Sequence, residues 1–336
     1  MKKKNIKQII TYVILVVLLI ILAIIGVNNN TENNQTIGTG NSGKYANLHI
    51  DNELLNILYF NVGQADSTFI TINGQNMLID AGNNSDGDYI VEFLKSQGIN
   101  RIDYLIGTHI DEDYIGGMYK IIDALDIGTL YMPYSTADKK CYNNIKDSVN
   151  KKGNLEISTI DDLENAKFSL GNATWQVLHV DNTDPKITND KAINNASIVI
   201  KLTYKETNYL FMGDASSKVE EILKVKNIDV LKVAHHGSNE STSEKFLEQI
   251  TPKYAIISVG NNPNKHPRPE VIQRLKDKSV VIYRTDENGT LWVTTNGEIN
   301  SIIIKELYNY NLDGANRKIS LLYTIFPKFY FRECYA

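Results

Sequence analysis

THIDEDYIGG, Thr108–Gly117, sets a histidine and three acidic residues between positions 109 and 113, directly behind the apolar run DYLIG. His109, Asp111 and Asp113 alternate through a turn that opens a helix at Gly116-Gly117, so a compact loop aims all three at one point. Imidazole with carboxylate suits a divalent transition metal, and two carboxylates with several nitrogens suit a pair of ions. A solvated acidic loop with an N-capping aspartate explains the same letters without any ion. From this stretch alone the two readings weigh the same.

Outward from it, four more segments end an apolar strand in a ligand-capable residue: FNVGQADS (Asp66), LIDAG (Asp80), FMGDAS (Asp214) and KVAHHGS (His235, His236). Strand ends, where loops begin, are where a rigid scaffold presents a site. The adjacent histidines tilt the balance toward chemistry, because the chain has only 6 of them. One reads as a ligand and the other as a proton donor or oxyanion partner, against a surface pair capping the next helix. Asp214 reads as a cap for SSKVEEIL or as a carboxylate bridging two ions. His266, in NNPNKHPRPEV, sits in a loop stiffened by Pro267 and Pro269 and is a third contributor. His179, ending WQVLHV, is a lone strand histidine of the kind the core usually satisfies.

The intervening pattern is mixed α/β without internal repeats. LLNILYFNVG, STFITIN and NMLIDAG read as strands, the last two joined by an Asn73-Gly74 hairpin turn. DYIVEFLKSQG has helical spacing and ends at Gly98. WQVLHV, SIVIKLTY, YLFMGDA, DVLKVAHHG, YAIISVG, VVIYRT and TLWVTT follow as strands, with helices at MYKIIDAL, SKVEEILKV, EKFLEQI and PEVIQRLK. Strands lead each half and helices are interposed later, which predicts a two-sheet core with helices outside.

Ile9–Val27 is charge-free and long enough to cross a bilayer core, so residues 1–27 read as a basic start and a transmembrane helix. The small-residue cleavage pattern of a secretory signal peptide does not follow it. Lys2, Lys3, Lys4 and Lys7 put the N-terminus in the cytoplasm and the rest outside the cell. Residues 28–47, rich in Asn, Gly and Thr, read as a tether, 48–300 as the domain, and 301–336 as an aromatic, apolar tail of undetermined structure. Setting aside those four of the 35 basic residues leaves 31 against 39 acidic ones, a balance that does not support broad electrostatic capture of nucleic acid.

The succession VGQADS, LIDAG, THIDEDYIGG, NNASIVI, FMGDAS, LKVAHHGS and HPRPEV resembles the metallo-β-lactamase-fold domain of the ComEC-type competence proteins over residues 53 to 297. The resemblance implies a four-layered αββα sandwich, one or two divalent ions (Zn or Mn) and a phosphodiester substrate, DNA among the candidates. By position, His109, Asp111 and Asp113 match the family's first metal-binding motif, Asp214 its bridging aspartate and His235 its later histidine ligand. Asp80 resembles the aspartate that supports the first motif. Asn195 and Ser197 fall where relatives of the wider fold place another histidine, commonly absent in this family.

Tyr114 is the departure, since the wider family has histidine there as a ligand of the second metal. A phenol binds poorly unless ionised, its ordinary pKa being about 10. A weak second site, a phenolate ligand, a one-ion enzyme and a decayed, non-catalytic binding module are the four consequences. The expected mechanism has His109, Asp111, Asp214 and His235 on one ion, Asp113 as second-site ligand or base, and His236 or His266 on the leaving or phosphoryl oxygen. A phosphocholine-type ester on a surface polymer is the alternative substrate. No protein partner is inferable.

Overall fold

In β1 (Leu55–Tyr59), Leu55, Ile57 and Tyr59 face one way and Leu58 the other, and all are buried. A strand buried on both faces needs a cover on each. The same alternation runs through β2 (Thr68–Ile72) and β3 (Gln75–Ile79), where Ile70, Ile72, Met77 and Ile79 oppose Phe69 and Leu78. In β9 (Val199–Tyr204) and β10 (Thr207–Phe211) it sets Ile200, Leu202, Tyr209 and Phe211 against Val199 and Leu210.

The computed structural model describes residues 49–159, 167–181, 190–298 and 301–307, all within the unit Lys44–Ala336. Among them, one sheet has the order β15 (Ile303–Leu307), β14 (Thr290–Thr295), β1, β2, β3, β4 (Arg101–Ile106), β5 (Asp126–Tyr131), β6 (Ile157–Ser158). The other has the order β13 (Val281–Arg284), β12 (Tyr254–Ile257), β11 (Val230–Lys232), β10, β9, β8 (Ala173–His179), β7 (Lys167–Leu170). The strand pairs from β3 to β6 and from β10 to β13 are parallel. In chain order the helices are α1 (Gly87–Ser96), α2 (Glu112–Ile115), α3 (Met118–Ala124), α4 (Lys140–Lys152), α5 (Asp190–Asn195), α6 (Ser217–Ile222), α7 (Glu244–Ile250), α8 (Pro269–Asp277) and α9 (Thr285–Asn288).

One apolar cluster joins the inner faces of the two sheets, with Ile57, Ile70 and Met77 from the first and Trp175, Ile200 and Phe211 from the second. A second lies between the first sheet and α1, α3 and α4, through Phe93, Ile121 and Ile145. A third lies between the second sheet and α6, α7 and α8, through Val219, Phe246 and Val271. Helix, sheet, sheet and helix therefore form four layers. The run 9–27 and the 28–47 tether lie outside the described residues; no helix among the described residues is long and apolar enough to cross a membrane. β15 pairs with β14 beyond residue 300, and residues 308–336 lie outside the described residues.

Two strands stop earlier than their apolar runs suggest. β4 ends at Ile106, because the Gly107 N–H still donates to Tyr131 but the Thr108 N–H turns to the Asp80 carboxylate. β11 ends at Lys232, and the chain then turns through left-handed backbone at His235 (φ 50) and His236 (φ 51). Behind the first motif, Gly117 lies against the Ala81 loop and the start of α1: an added Cβ would collide with the Ala81 carbonyl oxygen and stand 2.8 Å from Gly87 Cα. These are backbone atoms with little freedom to yield. Gly117→Ala is expected to destabilise the fold by about 1–3 kcal/mol, read from the urea midpoint; an unchanged midpoint would mean the two loops separate freely.

Candidate metal centre

The two sheets bring their loops together on one edge. Asp80 follows β3, and Thr108 and His109 follow β4, while Asp214, His235 with His236, and Ser258 follow β10, β11 and β12. The Ile198 N–H donates to Thr108 O at 2.9 Å and the His235 N–H to Gly213 O at 3.0 Å, stitching the loops to one another. Gly213 takes φ 54 there, and a Cβ on it would meet Ser197 Oγ at 2.9 Å.

His109 is wholly buried and its protonation is set from behind. The Thr108 N–H and hydroxyl donate to the two oxygens of Asp80 at 2.8 and 2.9 Å. With its only hydrogen used, Thr108 Oγ1 can only accept from His109 Nδ1, 3.0 Å away. That contact turns Nε2 forward, the arrangement that orients ligating histidines. Burial, then repulsion by Asp66, pushes the Asp80 carboxyl well up from its usual range, against the pull of His109 and Thr108.

In front of that nitrogen lie Asp111 Oδ2 and Asp214 Oδ2, each 3.6 Å away, with His235 Nε2 a further 3.7 Å from the same Asp214 oxygen. The other Asp111 oxygen is held by the Lys139 ammonium and the other Asp214 oxygen by the Tyr114 hydroxyl. Burial opposes a charge on His109, but Asp214, Asp111 and Asp80 outweigh it and raise its pKa to about 9. Burial likewise opposes the charge on Asp214, while His109, His235 and His236 hold its carboxyl well below the usual range.

These residues fit a divalent ion in kind. The buried Nε2 has no hydrogen-bond partner, and 3.6 Å is too long for one to either carboxylate. Donors around a tetrahedral ion with bonds of about 2.0–2.1 Å stand about 3.4 Å apart, a few tenths of an ångström closer than the separations here. Among the described residues no three His, Cys, Asp or Glu side chains stand close enough together to hold a metal ion as they are placed; the donors named here are separated by that slightly wider gap.

A second group lies beside the first. His236 Nε2 is 3.2 Å from Asp113 Oδ2 and 3.2 Å from the Tyr114 hydroxyl, and its Nδ1 is 2.8 Å from Ser258 O. Burial opposes its charge, but Asp113 and Asp214 raise its pKa. Burial, then Asp214, Asp66 and Asp113, pushes the Tyr114 phenol well up. The two histidines of HHGS thus face different carboxylates, His235 toward Asp214 and His236 toward Asp113.

The remaining sequence candidates occupy the surround. His266 lies at the rim, its ring 5.3 Å from that of His235, with an unpartnered Nδ1; burial, then His235, His236 and Arg268, lowers its pKa to about 4. Asp66 is paired with Lys232 in the interior, both side chains nearly inaccessible. Ser197 Oγ accepts the Asp214 N–H at 3.0 Å. Asn195 takes scaffold contacts, its carbonyl meeting His179 Nε2 at 2.8 Å and its side chain accepting from Ser216 at 2.6 Å.

Sequence reasoning missed Thr108, Lys139, Lys232 and Ser258. Only Lys232 left a signal, as a charge within the apolar run DVLKVA, at the same inward phase as Val230.

A family model described as the Metallo-beta-lactamase superfamily matches residues 60–261. ComE operon protein 3 of Bacillus subtilis (strain 168) is 32% identical over 255 residues, which cover 68% of this chain and 32% of that protein. Recombination protein 2 of Haemophilus influenzae is 32% identical over 240 residues, covering 69% of this chain and 28% of that protein. The chain spans about a third of the length of these curated relatives. A solved structure, the metallo-beta-lactamase fold protein YhfI from Bacillus subtilis, overlaps 71% of this chain and 99% of its own at TM-score 0.48 and 11% identity.

Proposed function

The chain belongs to the metallo-β-lactamase superfamily, and from that premise we propose that it is a metal-dependent hydrolase of phosphodiester bonds. The observation that carries this reading is the buried Nε2 of His109, without a hydrogen-bond partner and 3.6 Å from one oxygen each of Asp111 and Asp214, where an ion would displace the ring's proton. His109, Asp111, Asp214 and His235 would hold a divalent ion, zinc or manganese. Such an ion supplies the Lewis acidity that makes water a nucleophile near neutral pH and polarises a phosphoryl oxygen.

The chain's own groups do the rest. Asp80 and Thr108 keep His109 aimed. Lys139 and Tyr114 each hold one carboxylate oxygen, so that Asp111 and Asp214 present the other. Asp113, whose side chain is 33% exposed, is placed to take the proton that water gives up. His266, at the rim beside His235, is placed to hold a phosphoryl or leaving oxygen.

A nucleic acid backbone is the favoured substrate, supported by the likeness to a relative named for recombination and by the resemblance to ComEC-type domains. The charge-free run Ile9–Val27 and the lysines before it support an anchored protein whose hydrolase domain faces outward. The purified full-length chain, assayed with Mn²⁺ or Zn²⁺ on single-stranded DNA, on bis(p-nitrophenyl) phosphate and on a phosphocholine ester, is expected to show chelator-sensitive hydrolysis of the first two. Activity on the phosphocholine ester alone would move the substrate to a surface polymer, and inactivity with every metal would sink the reading.

A further inference from the structure

We propose that this centre is built for one ion, and that Tyr114, with His236 and Asp113, closes the second metal position by hydrogen bonds. The inference rests on the metal-dependent reading above and concerns how that site is filled.

The donor atoms divide unequally between the two positions. At the first, His109 Nε2 stands 3.6 Å from Asp111 Oδ2 and from Asp214 Oδ2, and His235 Nε2 3.7 Å from that same Asp214 oxygen, none of them within hydrogen-bond distance. At the second, the oxygen with which Asp214 would bridge to another ion already receives the Tyr114 hydroxyl hydrogen. That hydroxyl has one hydrogen, so toward His236 Nε2, at 3.2 Å, it can only accept. Asp113 Oδ2, also 3.2 Å from that nitrogen, is again an acceptor. The Ser258 carbonyl, 2.8 Å from Nδ1, is a third. Both ring nitrogens of His236 are thus engaged by protein partners, Nδ1 by the Ser258 carbonyl and Nε2 by Tyr114 and Asp113.

Space is taken as well as bonding capacity. Tyr114 is fully buried, its ring centroid 4.1 Å from that of His109 and 5.3 Å from that of His236. The left-handed backbone at His235 and His236 holds their rings 6.3 Å apart and 66° out of plane, which gives one histidine to each position. Histidine in place of Tyr114 would release Asp214 Oδ1 and add a nitrogen lone pair.

The test counts ions. The full-length chain is stripped with chelator, dialysed against Mn²⁺ or Zn²⁺, and analysed for bound metal beside Tyr114→His and His109→Ala. One ion per wild-type chain, two in Tyr114→His and none in His109→Ala are expected. With Mn²⁺, the wild type should give the electron paramagnetic resonance spectrum of isolated ions rather than of a coupled pair. Two ions or a coupled spectrum in the wild type would overturn the proposal and leave the metal reading standing. A wild type that binds none would overturn both. A Tyr114→His protein that keeps the wild-type circular dichroism yet stays at one ion would remove Tyr114 from the argument, and should that variant fail to fold, the wild-type count and spectrum still decide.

Discussion

His109→Ala is expected to lower kcat/KM on a phosphodiester about a thousandfold, because it removes a metal donor while leaving the surrounding carboxylates in place. Lewis-acid assistance is worth several kcal/mol, and about 4 kcal/mol corresponds to that factor. His109 is the expected focus because its ring is fully buried and tied behind to Thr108 and Asp80, with Nε2 pointing forward and without a hydrogen-bond partner. Asp80→Asn weakens the aim without deleting the donor, and should cost about 10–100-fold in metal affinity or activity. Bound metal should fall in the same order. Steady-state kinetics at saturating Mn²⁺, with a circular dichroism check of folding, reads the result. A His109→Ala enzyme within tenfold of wild type would end the assignment of His109 as a ligand.

Lys232→Met is expected to cost about 3–5 kcal/mol of stability, the range for removing one partner of a buried ion pair. Val230 and Lys232 share the face of β11 that meets the intersheet core. An ammonium there is tolerated because it meets Asp66, the two side chains being 3% and 6% exposed. Methionine fills a similar volume but strands the carboxylate. Pairing Lys232→Met with Asp66→Leu replaces both charges and should recover most of the loss. Urea unfolding of the single and double variants measures this, and a loss under about 1 kcal/mol in the single variant would contradict it. The pair also braces the site: the Asp66 N–H donates to Asp113 O at 3.0 Å, and Ser258 Oγ reaches Asp66 Oδ1 at 3.3 Å. The single variant should therefore lose activity along with stability.

Local pattern made much of the fold legible. TLWVTT and EKFLEQI coincide with β14 and α7, and Asn73 (φ 50) with Gly74 (φ 75) forms the hairpin turn their side chains favour. Both sheets follow from apolar strands buried on two faces, a signal carried by neighbouring residues alone. α4 was less legible: in KCYNNIKDSVNKK the buried residues Cys141, Tyr142, Ile145 and Val149 are diluted by Asn, Ser and Lys, and helical propensity there is weak. β4 and β11 end before their apolar runs do because the bonds that turn the chain there, to Asp80 and Gly213, come from other strand ends.

The amino-acid order by itself determined the inventory of this centre: a chain of strand ends, each carrying an aspartate or a histidine, with a tyrosine where a histidine would complete a second metal site. Only the tertiary structure decided how those groups divide. Asp214 lies 100 residues from Tyr114, and His236 lies 123 from Asp113, so no local pattern can say which oxygen of a carboxylate is free, which histidine faces which aspartate, or that Lys139 and Lys232 serve as counter-charges. Those choices depend on hydrogen-bond directions and interatomic distances, which exist once two sheets have been packed face to face and their loops share one edge.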